Sequence, residues 1–279
     1  MNKITIKDNK TGLCSVILPD YGAMVCELRT GETDVLNMNY GMLGIGNVLS
    51  GGIPLLFPFA GKSPDDTLVF NGKRYAMPMH GFAKDLPFDI AAQSGASCTL
   101  AFSANEMTKT FYFPFDFKFT VTYTTEGQCF STRAALENKS REPIPVALGF
   151  HPYFLTTCRE KTEFKFDLKN YYDYTKGVDA VPARGTIESE LKLSEKYDHV
   201  FYAKAGLTMS LQNPADGYAV NIITDNSFNI ATISTGAKNS SCLEPWQSFP
   251  NVLGSKEFWQ WVPAGGFREF TYQIVIEQL

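Results

Sequence analysis

Three segments rich in glycine, proline and aromatic residues carry side chains that could transfer protons. They read MHGFAKD around His80, LGFHPYF around His151 and CLEPWQSFPN around Glu244. Imidazole exchanges protons near neutral pH, and a carboxylate in apolar surroundings has a raised pKa that suits a general base. A single histidine beside aromatic residues is usually a packing residue. Because two of the only three histidines lie in such segments, we interpret both as site residues.

Three further residues could contact a ligand, and each has a simpler structural explanation. Lys62 ends the segment GGIPLLFPFAGK. The prolines and glycines of this segment would make the backbone rigid and so present the ammonium group to a ligand, or Lys62 is a plain surface lysine. Trp246 could offer a flat face to a sugar ring, or it packs in the core. Asp198 could accept hydrogen bonds from ligand hydroxyls, although aspartate is more common in turns and caps. We assign the third histidine, His199, to the neighbourhood of Asp198 without a chemical role.

The elements that must position these residues are predicted to be short antiparallel strands. Apolar and polar residues alternate with a period of two, as in a strand with one buried face. This alternation covers residues 119–124, 164–169 and 270–277. Asn71-Gly72 between apolar segments predicts a hairpin, and residues 189–197 could form one short helix. The pattern predicts an all-β sandwich or barrel that forms one domain over residues 1–279.

Composition excludes several classes of protein. The chain has 279 residues, of which 25 are basic and 29 acidic, so its net charge of −4 provides no basic surface for nucleic acid. With 44% hydrophobic residues it is too apolar for a disordered chain. Its six cysteines form no C-x-x-C pair, and it has neither a secretory h-region nor an apolar run of about 18 residues. We therefore expect a cytoplasmic monomer or homodimer that does not enter a membrane.

The order and separation of the motif segments resemble the aldose 1-epimerase (galactose mutarotase-like) family. The segments GGIPLLFPFAGK, MHGFAKD, LGFHPYF and CLEPWQSFPN are followed by VPAGGFREFTYQI, which is similar to the closing strand of that family. The likeness covers nearly the whole chain and is strongest to the bacterial branch that includes lactose-operon-associated proteins. It implies a large antiparallel β-sandwich whose concave face holds a sugar, and a reaction without cofactor or metal.

The resemblance also implies roles for the three proton-transfer residues. His151 matches the general acid of the family, Glu244 its general base, and His80 a second imidazole near the anomeric oxygen. Glu244 would take the proton of the C1 hydroxyl while His151 protonates the ring oxygen, so that the ring opens and closes to the other anomer. We expect the nearby Glu244 to raise the pKa of His151 and so keep it protonated.

Three substrate contacts follow from the same resemblance. Asp198 lies about where relatives hold a substrate-binding aspartate. Lys62 and Lys84 stand where relatives frequently carry arginine. Since lysine is a point charge and arginine a two-pronged donor, the geometry of ligand binding would differ here. The preferred sugar is therefore left open.

Four other functions would use some of the same residues. A hexose-6-phosphate 1-epimerase would direct cations to the phosphate, namely Lys62, Lys73, Arg74 and Lys84. A metalloenzyme would bind its metal with the three histidines and Glu244. A glycosidase would use Glu244 and Asp198 as its two carboxylates. A carbohydrate-binding protein would hold a sugar without turnover.

Overall fold

Antiparallel strands make up most of the computed structural model, which describes residues 1–44, 49, 51–177, 182–186, 196–250 and 259–279 and the backbone of residues 191 and 192. In chain order the strands are β1 Ile4–Lys7, β2 Leu13–Leu18, β3 Met24–Thr30, β4 Thr33–Asp34, β5 Leu55–Leu56, β6 Thr67–Phe70, β7 Lys73–Ala76, β8 Asp89–Gln93, β9 Ser97–Ser103, β10 Phe117–Glu126, β11 Cys129–Asn138, β12 Ile144–Val146, β13 Gly149–Phe150, β14 Tyr153–Leu155, β15 Glu163–Lys165, β16 Asn170–Asp173, β17 Ala183–Thr186, β18 Leu191–Lys192, β19 Asp198–Tyr202, β20 Thr208–Asn213, β21 Tyr218–Thr224, β22 Ile230–Ser234, β23 Ser240–Trp246, β24 Gln260–Val262 and β25 Phe267–Gln278.

Helices are short in the described part of the chain. One α-helix, α1, spans Glu106–Phe111, and its N-terminus is capped by Asn105 in a reciprocal capping box with Thr108. Single 3₁₀ turns cover Tyr40–Met42, Pro64–Asp66, Ala83–Asp85 and Arg159–Lys161. None of these helices has the length and apolarity needed to cross a membrane.

Two large antiparallel sheets pack face to face, which confirms the predicted all-β sandwich. One has the strand order β18-β15-β20-β21-β25-β11-β10-β9-β8, and the other has the order β17-β16-β19-β22-β23-β13-β5, with β14 also paired to β23. Aromatic side chains join the two sheets. The ring of Phe57, just after β5, stacks on Phe119 of β10 with centroids 4.2 Å apart, and Phe150 of β13 lies 4.4 Å from Tyr272 of β25. The main core therefore lies between the sheets.

Two of the three period-two patterns correspond to half-buried strands, whereas the third, at residues 164–169, is a strand only as far as Lys165, where β15 ends. Alternate residues of β10 are buried along its whole length, and β25 alternates in the same way over its middle. The hairpin prediction is confirmed, since Asn71 and Gly72 join β6 to β7 with φ of 48° and 74°, as a tight two-residue turn requires. The short helix expected at 189–197 is wrong where it can be compared, because residues 191 and 192 form β18, whose backbone pairs with β15. Residues 189, 190 and 193–195 lie outside the described part.

Candidate active site

Strand β23, in the interior of the eight-stranded sheet, carries Glu244, the candidate general base. All seven of its residues are buried, and alternate side chains point to opposite faces. Leu243 belongs to the core between the sheets. Cys242, Glu244 and Trp246 therefore face the other way, toward the outer surface of the sheet. This outer face is where the candidate site residues meet.

Strand register brings His151 and Glu244 together. Gly149 of β13 pairs with Trp246, and Tyr153 of β14 pairs with Cys242, so the residue midway between them lies opposite Glu244. That residue is His151, and its Nε2 lies 3.4 Å from Oε2 of Glu244. Two residues 93 positions apart in the sequence thus form a pair that can exchange a proton across one short gap.

Burial determines the protonation of this pair. It raises the pKa of Glu244 well above its usual value, and the nearby Asp198 raises it further. Burial also lowers the pKa of His151 well below its usual value, and His80 lowers it further. The expectation that Glu244 keeps His151 protonated is therefore wrong, because desolvation outweighs the attraction between the two groups. Both shifts favour the uncharged form of each group.

His80 is held by two hydrogen bonds to Gly61. Its backbone N–H donates to the Gly61 carbonyl at 2.8 Å, and its Nδ1 accepts from the Gly61 N–H at 3.1 Å. An accepting Nδ1 carries no proton, so the neutral ring carries its proton on Nε2. Burial lowers the pKa of His80 to about 3, and the charge of Lys84 contributes to this shift. His80 is thus a neutral hydrogen-bond donor of fixed tautomer.

The backbone of His80 is strained. Its φ is +65°, in the left-handed region that costs a non-glycine residue of order 1–3 kcal/mol and is found mainly at functional sites. This conformation brings the imidazole edge to face with His151, with ring centroids 5.5 Å apart, and with Trp246 at the same distance. The two predicted site histidines and Glu244 are therefore assembled in one place.

Trp246 forms the apolar side of the site. Its side chain is buried in a second, smaller apolar cluster on the outer face of the sheet, together with Leu56 and Ile230. The indole lies directly over Gly149, where an added Cβ would come within 2.6 Å of ring atom Cδ1. The indole N–H lies close enough to Glu244 to lower its pKa slightly, against the larger effect of burial.

The three remaining predicted substrate contacts, Asp198, Lys62 and Lys84, differ in burial and in their partners. Asp198 begins β19 and is half-buried, and burial together with Asp173 raises its pKa to about 6. Lys62 follows Gly61 and is half-buried. Lys84 is different, because its side chain is only 4% exposed and its ammonium group pairs with the carboxylate of Asp85. Its charge reaches the site through its effect on the pKa of His80.

His199 points away from Glu244. It stacks on Tyr171 with centroids 4.2 Å apart, and its Nδ1 lies 3.6 Å from Oδ1 of Asp173. The four-ligand metal set proposed as an alternative is not assembled among the described residues. The potential metal ligands that these residues do bring together are His151, Cys242 and Glu244, with their ligand atoms within 4.8 Å of one another.

Sequence reasoning missed three residues around the pair of His151 and Glu244. Thr232 of β22 pairs with Glu244, and its buried hydroxyl has no hydrogen-bond partner among the described residues. Tyr153 stacks on His151 with centroids 4.5 Å apart and planes 5° from parallel. Cys242 lies two residues before Glu244 on the same face. Cys242 and Tyr153 had a signal in the sequence, since they lie two residues from Glu244 and His151 and strand periodicity places residues two apart on one side. Thr232 had none.

A family model described as aldose 1-epimerase matches residues 2–274 of this chain. The chain belongs to the aldose 1-epimerase family. It is therefore grouped with isomerases that act on sugars, and its mutarotase-like sandwich agrees with the fold implied by the motifs. No curated protein matches the chain.

Several solved structures superpose over nearly the whole chain. The Slr1438 protein from Synechocystis sp. PCC 6803 is 25% identical with a TM-score of 0.91, covering 100% of this chain and 96% of that one. A galactose mutarotase related enzyme from Lactobacillus acidophilus is 20% identical with a TM-score of 0.83, covering 99% and 98%. A galactose mutarotase-like protein from Lactobacillus casei ATCC 334 has the same identity and TM-score, covering 99% and 100%.

Proposed function

We propose that this family member is a mutarotase that interconverts the α and β anomers of a free hexose. The observation that carries the proposal is the buried pair of His151 and Glu244, 3.4 Å apart, beside the neutral donor His80. A carboxyl group and an imidazole that share one proton can accept a proton at one point of a substrate and deliver one at another. Mutarotation needs that combination and no redox or group-transfer partner.

The reaction begins with the proton on Glu244. Sugar hydroxyls that donate hydrogen bonds to the carboxylate favour its ionised form, so its proton passes to His151. Glu244 then takes the proton of the C1 hydroxyl while His151 protonates the ring oxygen. The bond between C1 and the ring oxygen breaks, and an open-chain aldehyde forms. Rotation about the C1–C2 bond and closure by the reverse proton transfers give the opposite anomer and restore the pair.

His80 and the flanking residues assist these transfers. The Nε2 proton of His80 donates to the anomeric oxygen as negative charge develops there. Asp198 and Lys62 bind hydroxyl groups, and Trp246 with its apolar cluster supports the ring. Lys84 acts less directly than a substrate contact would, since its ammonium group is paired with Asp85. The protein would act on a cytoplasmic sugar, as a monomer or homodimer.

A phosphorylated substrate is less well supported. Lys84 pairs with Asp85, and exposed Arg74 lies 3.9 Å from Asp65. Two of the four cations that the phosphate alternative needs are thus engaged by carboxylates. A glycosidase is also less well supported, because the group facing Glu244 at short distance is an imidazole rather than a second carboxylate.

Polarimetry on freshly dissolved α-D-glucose and α-D-galactose tests the function. We expect the wild-type protein to accelerate the change in rotation, and Glu244→Gln to lower its rate by about 10²–10⁴-fold, since it removes one positioned proton acceptor. Glu126→Gln is the matched control, because Glu126 is exposed at the end of β10. A Glu244→Gln variant with the wild-type rate would refute the role of Glu244. A wild-type protein inactive on these sugars but active on glucose 6-phosphate would overturn the proposed substrate.

A further inference from the structure

Cys242 lies beside the proposed proton-transfer pair, and the proposed mechanism does not use it. It is 2% exposed, lies two positions from Glu244 on the same face of β23, and pairs with Tyr153 next to His151. Its sulfur, the carboxylate of Glu244 and a ring nitrogen of His151 all lie within 4.8 Å of one another. Apart from its approach to His151, Oε2 of Glu244 has no partner among the described residues. An unsatisfied buried carboxylate therefore faces a thiol and an imidazole.

The three ligand types match one class of metal ion. Thiolate, imidazole and carboxylate together suit Zn²⁺ and similar borderline-soft cations, whereas Mg²⁺ and Ca²⁺ prefer sets made of oxygen alone. Donor atoms around a tetrahedral Zn²⁺ lie about 3.5 Å apart, given bonds of roughly 2.0–2.3 Å. Side-chain movements of about 1 Å would bring the three atoms from their present spacing to this geometry.

Charge balance supports the same class. A divalent cation bound to one thiolate, one carboxylate and one neutral imidazole gives a complex with no net charge. Such a complex can be buried without the large desolvation penalty of an isolated ion. Three protein ligands also leave a fourth position open on the metal. Other zinc sites with three protein ligands bind water or a small ligand at that position.

We propose that His151, Cys242 and Glu244 form an inhibitory site for Zn²⁺ or a similar thiophilic divalent cation. Metal at this site removes both members of the proton-transfer pair, because the nitrogen and the carboxylate that move protons become ligands. The inhibition, although not the binding, rests on the proposed mutarotase function.

Inhibition by Zn²⁺ is measured by polarimetry on chelator-treated protein, relative to the metal-free rate of each variant. We expect Zn²⁺ to inhibit the wild type, a chelator to reverse the inhibition, and Mg²⁺ to have no effect. Cys242→Ala should need a Zn²⁺ concentration higher by about tenfold or more, because it loses the softest ligand. Cys129→Ala, at a half-buried cysteine of β11 in the other sheet, should respond as the wild type does. Equal sensitivity of Cys242→Ala and the wild type would overturn the proposal.

Direct binding is measured with Co²⁺, which reports a thiolate ligand by a charge-transfer absorption in the near ultraviolet. The absorption should appear with the wild type and Cys129→Ala and be missing with Cys242→Ala, or with Cys242→Ser if the alanine variant does not fold. This result does not require mutarotase activity, so it separates failure of the metal site from failure of the proposed function. Wild-type protein that gives no such absorption would also overturn the proposal.

Discussion

At the level of single residues, the backbone of Gly61 determines what His80 can do. The Gly61 N–H donates to Nδ1, so the proton of the neutral imidazole lies on Nε2. A ring that stays neutral cannot supply a proton by acting as an imidazolium acid. In the proposed mechanism it would stabilise a developing oxyanion without rearranging, since its hydrogen bonds to Gly61 already fix its orientation.

We predict that His80 keeps this neutral form through acid pH. With its pKa lowered to about 3, the ring should show the Nε2-protonated tautomer by nitrogen NMR from neutral pH down to about pH 4. His80→Ala should lower the mutarotation rate by roughly 10²–10³-fold, as expected for one lost oxyanion donor, and His80→Gln, which keeps an N–H donor, should recover part of it. Titration of His80 near its usual pKa would contradict this assignment.

At the level of elements, the pairing of strands accounts for the proximity of His151 and Glu244. β13 precedes His151 in the chain and β14 follows it, and both strands pair with β23 in one continuous register. Glu244 and His151 are thus positioned by backbone hydrogen bonds rather than by a mobile loop. Gly149 is needed in this arrangement because the indole of Trp246 occupies the space that a side chain would fill.

Gly149→Ala should therefore damage both packing and activity. The added Cβ would meet the indole at 2.6 Å and the Ala60 side chain at 3.0 Å, and overpacking of this kind costs about 1–3 kcal/mol. Displacement of Trp246 would also disturb its edge contact with His80. Urea unfolding and polarimetry measure the two effects. Gly95→Ala is the control, since nothing lies within 4 Å of its added Cβ, and equal stability of the two variants would refute the packing argument.

The strands and the motif residues could be predicted from the sequence, while the protonation of the site could not. Alternation along β10 and β25 depends only on which face is buried, and that pattern is local. The lowered pKa of His151 depends on desolvation by segments distant in the sequence, so proximity to Glu244 alone suggested the opposite direction. The pairing of Lys84 with Asp85 was not predicted either, although the two residues are neighbours in the sequence.

At the level of the whole molecule, the main apolar core and the candidate site lie on opposite faces of the same sheet. The face of β23 that carries Leu243 packs in the core between the sheets. The other face carries Glu244 in a setting dry enough to raise its pKa, although it lies outside the main core. A carboxyl group held there is easily protonated, and its ionisation at higher pH is opposed by burial.

The buried carboxyl group of Glu244 should therefore reduce the stability of the protein as the pH rises. The pKa of Glu244 is higher in the folded than in the unfolded chain, so its contribution to stability is complete below its unfolded pKa, about 4.3, and is lost as the pH rises through the folded pKa. Glu244→Gln has no such group. Its free energy of unfolding relative to wild type should increase from pH 4 to pH 9, as measured by urea unfolding, whereas that of Glu126→Gln, at an exposed carboxyl group, should change much less. A difference between Glu244→Gln and wild type that stays constant with pH would show that burial does not hold Glu244 in its neutral form.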